Sequence, residues 1–176
     1  MDGQITLAAH HYPGPAGSGH KPVVQVLLGT GQVDVDSRDF DGRTPLSWAA
    51  GSGHMPVIQP LLGTGKVDAD SRDSGGRTPL SWSAEKGNEA EVSLLLETGK
   101  VDVDSKDSEG RTPLSWAAEY GHTPVMQLLL GTGKVDVNSM DSEGRIPLFW
   151  AAAGGYTAAM QLLLGTRRMR MNVEQQ

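Results

Sequence analysis

The 176-residue chain contains no cysteine. That absence excludes a disulfide framework, a thiolate nucleophile and a cysteine-ligated zinc site, and it is compatible with a reducing compartment. Long apolar runs are also missing: no stretch approaches the ~18 consecutive apolar residues of a membrane-spanning helix. The first residues, MDGQITLAAHHYPGPAGSG, have an acid at position 2 and no basic region leading into an apolar run, so no signal peptide is expected. Basic charge is in deficit, with 15 Lys and Arg against 21 Asp and Glu for a net charge of -6, and acids and bases alternate along the chain. This argues against a general nucleic-acid surface, which needs clustered cations. The one basic cluster, Arg167, Arg168 and Arg170, is expected to be a frayed, solvated tail. The expectation is a soluble intracellular protein of the cytoplasm, with neither nucleic acid nor membrane as partner.

What is present is a repeat. Thr44, Thr78 and Thr112 lie 34 residues apart, as do Pro45, Pro79, Pro113 and Pro147, then Trp48, Trp82, Trp116 and Trp150, then Gly53, Gly87, Gly121 and Gly155. A period of this size signals a solenoid, in which each unit touches only its neighbours and about three units are needed for stability. Four are close to complete.

The unit at 107–140 shows why the chain folds. Thr112 is a good N-cap and Pro113 suits the first helical position, where its missing N–H would have no partner anyway. Gly121 can take the left-handed conformation that closes this short helix. Thr123-Pro124 is expected to repeat the cap and first-position arrangement, with Val125, Met126, Leu128, Leu129 and Leu130 as an apolar face and Gly133 as the stop. Val135-Asp136-Val137 then alternates, and Asp141-Ser142-Glu143-Gly144 has turn spacing, which predicts a hairpin or extended loop.

Helix, turn, helix and projecting finger, with TPL, AA, GH and LLL at fixed places, resembles the ankyrin repeat over residues 19–166. The wording TPLSWAAEYGH and TGKVDVDSKD looks like the ankyrin arrays of large filamentous-fungal proteins, often signalling ATPases. The resemblance implies an all-α ankyrin solenoid of stacked helix-turn-helix units with projecting β-hairpin fingers. The usual unit has 33 residues; here the extra one falls after the helix-ending glycine, at Gln32, Lys66, Lys100 and Lys134. The expected organisation is an irregular segment 1–17, an array over 18–166 (a partial unit 18–38, then 39–72, 73–106, 107–140 and 141–166), and a basic tail 167–176. Pro13, Gly14 and Pro15 fall where the first helix of the partial unit belongs, so that unit is expected to keep only its second helix, 22–28, and its finger. Arg167 replaces the stop glycine, and 168–172 lies in register with the finger at 134–138. The apolar outer face of Met160, Leu162, Leu163 and Leu164 suggests a piece of a longer array, or a degenerating one; the chain is expected to be a monomer or part of such an array. Pro60, in register with Leu94, Leu128 and Leu162, is the expected weak point of a second helix.

Several patterns invite sharper chemistry. GTGK at 63–66 and 131–134 lacks the first glycine and the Ser or Thr of a phosphate loop and follows a helix instead of preceding one, so it is expected to be a helix stop. The DVDSKDSEG runs offer oxygen ligands at alternate positions, but an alignment on Gly110 puts Trp116 where a calcium loop needs its bidentate Glu. His20, His54 and His122 share a position with Asn88 and Tyr156, which suits capping or turn side chains and not a metal site. His10-His11 is a weak exposed pair. The four tryptophans fall where ankyrin repeats usually carry leucine facing the core, so burial is expected in place of a stacking platform for bases. Arg43, Arg77, Arg111 and Arg145 run beside Asp39, Asp73, Asp107 and Asp141, as solvated neighbours or as a charged strip offered to a partner.

No Ser/His/Asp, Cys/His or paired-acid arrangement stands out, so no catalysis, cofactor or metal is expected. The resemblance implies a scaffold that binds a partner protein through a concave groove and finger tips. Carried over by register, the contact residues are Phe40, Asp41, Arg43 and Ser52; Ser74, Arg77, Glu85 and Lys86; Ser108, Glu109, Arg111, Glu119 and Tyr120; and Ser142, Glu143 and Arg145. Phe40 and Tyr120 are the expected anchors, since aromatics dominate interface energies. The other function is a structural or regulatory segment of a larger fungal signalling protein with no ligand of its own, in keeping with three tips out of four that read Ser-Gly or Ser-Glu.

Overall fold

The computed structural model describes residues 5–7 and 14–173, with side chains at 7 and 14–167. The elements run β1 (Ile5–Thr6), α1 (Gly14–Gly17), α2 (Lys21–Gly29), β2 (Val33–Asp34), α3 (Pro45–Gly51), α4 (Met55–Gly63), α5 (Pro79–Lys86), α6 (Glu89–Glu97), α7 (Pro113–Glu119), α8 (Thr123–Gly131), α9 (Pro147–Ala153) and α10 (Thr157–Val173). The odd-numbered helices pack on one another in one layer and the even-numbered helices in a second, so the solenoid is two helices thick. The core lies between the layers. In the unit at 107–140, Leu114, Ala117 and Ala118 of α7 meet Val125, Met126 and Leu129 of α8, all without solvent exposure. Alanine on the first helices lets them approach closely, and leucine and valine fill the space behind.

The helix starts follow the sequence. Thr44, Thr78 and Thr112 stand at extended φ and ψ and accept the N–H of Ser47, Ser81 and Ser115, with proline at the first helical position. These threonine hydroxyls also meet the serine hydroxyls at 3.1–3.2 Å, and Thr44 and Thr78 reach Ser71 and Ser105 of the adjoining finger. Thr44 and Thr78 thereby tie a helix to a finger within the core. The second helices differ from expectation: the N-cap of α8 is His122, not Thr123, and its side chain makes no capping bond. His122 Nε2 instead meets the carbonyl oxygen of Glu85 in the preceding unit at 2.9 Å, as Asn88 Nδ2 donates to that of Ala50 at 2.8 Å. Buried Glu91 caps the neighbouring helix, accepting the Met55 N–H at 3.1 Å.

Gly87 serves two needs. Its φ is +71°, and a Cβ there would lie 2.6 Å from the His122 ring of the next unit. The extra residue of the 34-residue period is also accounted for: Thr64, Thr98 and Thr132 donate their hydroxyls to Leu61, Leu95 and Leu129 and accept the N–H of Lys66, Lys100 and Lys134. The GTGK backbone is therefore occupied in closing a helix.

Three expectations are corrected at the ends of the array. The partial unit does have a first helix, the single turn α1, with buried Ala16 against α3. Pro15 sits in its first turn, where no helical N–H bond is lost. Within the segment expected to be irregular, β1 pairs parallel with β2 (Ile5 with Val33, Thr6 with Asp34) and Leu7 is fully buried. At the other end no finger begins at 168–172: with Arg167 in place of the stop glycine, α10 runs on to Val173. The basic cluster lies on that helix, and His10-His11 and Pro13 fall outside the described residues. Pro60 is accommodated inside α4, half-buried, with helix on both sides.

Candidate functional site

The fingers and the first helices share one face. Each finger is a tight turn built on an aspartate: Asp73 Oδ1 accepts the N–H of Gly75 and Arg77 at 2.9 Å, and the same arrangement recurs at Asp39, Asp107 and Asp141. Successive tips are joined by single backbone bonds, from Ser74 to Asp41, Ser108 to Gly75 and Ser142 to Glu109, each 2.8 Å. Arg38 donates to the carbonyl of Arg72, Arg72 to that of Lys106 and Lys106 to that of Met140, so basic side chains join the fingers from unit to unit. A second ladder runs through the acids between helix and finger. Asp36, Asp70 and Asp104 accept the N–H of Asp68, Asp102 and Asp136 in the next unit. Burial pushes these three carboxyls above the usual aspartate range, against the opposing pull of that N–H.

In the first three fingers the free oxygen of the aspartate reaches a tryptophan. Trp48, Trp82 and Trp116 donate Nε1–H to Oδ2 of Asp39, Asp73 and Asp107 at 2.7, 2.9 and 2.9 Å. This corrects the expectation of full core burial: the four tryptophans are half-buried, and Trp48, Trp82 and Trp116 turn toward the finger because an indole N–H needs an acceptor that an all-leucine core would not supply. Between them lie the arginines. Arg43 sits 4.7 Å from the Trp48 ring and 4.2 Å from Trp82, Arg77 3.5 Å from Trp82 and 4.1 Å from Trp116, and Arg111 4.5 Å from Trp116 and 3.8 Å from Trp150. Arg145 closes the stack over Trp150 alone, at 4.3 Å. Cation and ring alternate across all four units.

Most of the arginines also have a carboxylate. Arg77 pairs with Glu85, which Lys86 also contacts at 2.6 Å, and Arg111 pairs with Glu119 at 2.7 Å and with Glu109 at 3.4 Å. Burial works upward on Glu85, but the hydrogen bond from Lys86 and the Arg77 charge outweigh it and hold the carboxyl below the usual range. Arg145 bonds Asp141 through Nε at 2.9 Å and Glu143 at 2.5 Å. Burial likewise acts upward on Asp141, and the donors of Arg145 and Glu143 outweigh it, so this carboxyl too is lowered.

The residues selected by register all map to this face, in two groups. Phe40, Asp41, Ser52, Ser74, Lys86, Ser108, Glu109, Tyr120, Ser142 and Glu143 are exposed, Phe40 to 69% and Tyr120 to 46%. Arg77, Glu85, Arg111, Glu119 and Arg145 are half-buried or buried and held in internal ion pairs. Arg43 stands between the groups, half-buried and stacked. Sequence reading missed the tryptophans as part of the face; the signal was there in the constant spacing of Asp, Arg and Trp at each finger. The surface is polar and aromatic, and it can offer stacking planes, guanidinium edges and finger-tip hydrogen-bond donors. Among the described residues no group of three His, Cys, Asp or Glu side chains could hold a metal, and no helix is long and apolar enough to cross a membrane.

A family model described as ankyrin repeats (3 copies) matches residues 15–107 and 92–175. No curated protein matches the chain.

Proposed function

The chain belongs to the ankyrin-repeat family, and we propose that it is a non-catalytic cytoplasmic scaffold that binds a partner protein along the finger and first-helix face. Ankyrin repeats generally mediate protein–protein interaction and are typically non-catalytic. The observation that carries the reading is the Arg/Trp stack, flanked by exposed Phe40 and Tyr120. Side chains fixed by stacking and by internal ion pairs lose little conformational entropy when a partner docks, and that pre-organisation is what raises affinity on a surface of ordinary size. Aromatic and arginine side chains also dominate interface energies.

The test is selection from a random dodecapeptide display library against the full chain, followed by Kd measurements on variants. Phe40→Ala and Tyr120→Ala should each weaken the selected peptides at least ~10-fold, in line with anchors worth ~2 kcal/mol. Failure to select any peptide, or peptides indifferent to both variants, overturns this assignment.

A further inference from the structure

The arginine stack has one vacancy among its counter-charges. Arg77 and Arg111 each take a glutamate from the end of their own first helix, Glu85 and Glu119. The residue in register in the unit at 39–72 is Gly51. Arg43 is held between the Trp48 and Trp82 rings as its counterparts are, and like theirs its Nε is buried without a hydrogen-bond partner; what sets it apart is that no ion pair joins it to any described carboxylate. Asp39 does not substitute: Oδ1 accepts the N–H of Asp41 and Arg43, and Oδ2 accepts Trp48 Nε1–H. Asp41, in register with Glu109, is exposed at the tip and makes no ion pair with Arg43. Where the glutamate would lie there is a cleft of about 320 Å³, lined by Arg43, Trp48, Trp82, Gly51, Ser52 and Lys86.

The geometry restricts what can fill it. Both faces of the guanidinium are covered by indole rings, so its N–H donors are accessible only at the edge. A planar acceptor with two oxygens matches that fork. A half-buried cation without a counter-charge is unfavourable, so an arriving anion gains both the hydrogen bonds and relief of that cost. The chain itself shows the fit twice, since the same Trp-Arg-Trp arrangement encloses a glutamate carboxylate in the next two units. Lys86 lines the mouth, half-exposed and paired with Glu85.

We propose that this cleft receives an Asp or Glu side chain from a peptide segment of the partner protein, placed as Glu85 and Glu119 are in the neighbouring units. The site rests on the interaction reading above and names one anchor within it. Its specificity is for an acidic residue, with the indoles of Trp48 and Trp82 packing the aliphatic part of that side chain.

The dodecapeptides of the preceding selection are the probe. They should carry Asp or Glu at one fixed position, and exchange of that residue for Asn or Gln should weaken binding ~10- to 100-fold, the range of a charge-assisted hydrogen-bonded pair. Gly51→Glu is the informative protein variant. Gly51 is at the end of α3 without a positive φ, and a Cβ there meets Trp82 Cβ at 3.4 Å, an ordinary contact. The substitution supplies the missing carboxylate in cis and should weaken the acidic peptides at least ~10-fold without lowering the melting temperature. Arg43→Gln should weaken them equally. Glu85→Gly should open a second site at Arg77 and raise the stoichiometry toward two. Selected peptides without a fixed acid, or peptides indifferent to Gly51→Glu, overturn the carboxylate site and leave the scaffold reading standing. No selected peptide at all overturns both.

Discussion

Arg111 and Arg145 stand at the same place one repeat apart, yet their surroundings differ. Arg111 lies between two indoles, pairs with Glu119 and is 8% exposed. Arg145 has one indole, and its Nε turns down to Asp141 Oδ2, the oxygen that takes the tryptophan N–H in the other units. Trp150 Nε1 is consequently buried with no acceptor. The helices repeat the contrast: α7 is capped by Thr112, whereas the N-cap of α9 is Ile146, which has no side-chain oxygen to offer. Leu114 is fully buried, and its counterpart Leu148 is half-buried. In a solenoid a residue's partners come from the next unit as much as from its own, so equivalent residues differ in energy according to their neighbours.

The largest effect expected from this comparison is in the core. Leu114→Ala should cost ~2–5 kcal/mol and Leu148→Ala less than half as much, by urea denaturation. Equal losses would mean that the last unit is as tightly packed as the central one. The first complete unit sharpens the comparison from the other side. Pro60→Leu restores a helix N–H at the place where α6 and α8 carry leucine and should raise stability by ~1–3 kcal/mol; an unchanged urea midpoint would contradict the assigned register.

Capping comes next. Thr112→Ala should cost ~1 kcal/mol, more if the buried Ser115 hydroxyl is left without its partner, and Ile146→Thr should return ~1 kcal/mol to the last unit. The two melting shifts should have opposite signs.

The smallest effects are those of pH. Carboxyls raised on folding, as at Asp36, Asp70 and Asp104, bind protons more tightly in the native state; the relative stability they give in acid is lost as pH rises through their raised values. Asp70→Asn should therefore raise the midpoint slightly at pH 7, and the difference from the parent should vanish below about pH 3. Asp141 has the reverse sign: its lowered pKa gives stability above the ordinary aspartate range that disappears as pH falls through the lowered value. Asp141→Asn should lower the midpoint at pH 7 and lose its effect in acid, which separates the last unit from the ladder of raised aspartates.

Much of this was legible in the repeat. Thr-Pro starts, glycine stops, the buried leucine and valine positions and the tip residues all follow from local rules acting within a few residues of one another. Where the reading failed, the deciding contact came from another unit or from the surroundings of a break. His122 reaches back to Glu85, so its position and not Thr123 is the N-cap; Pro15 sits in the first turn of a helix against α3 instead of abolishing it; and α10 continues because nothing at 167 stops it. The tryptophans were placed in the core by family analogy, and the indole N–H, which must find Asp39, Asp73 or Asp107, placed them on the face.

The sequence by itself determined the period, the helix pair in each unit, the turn at each finger and the polarity of each position, since these depend on backbone preference and hydrophobic pattern along one unit. The tertiary structure decided which arginine has a carboxylate and which stands without one. Stacking sets each guanidinium between rings from two different units, and whether an acid reaches it depends on a helix end that the fold alone brings alongside.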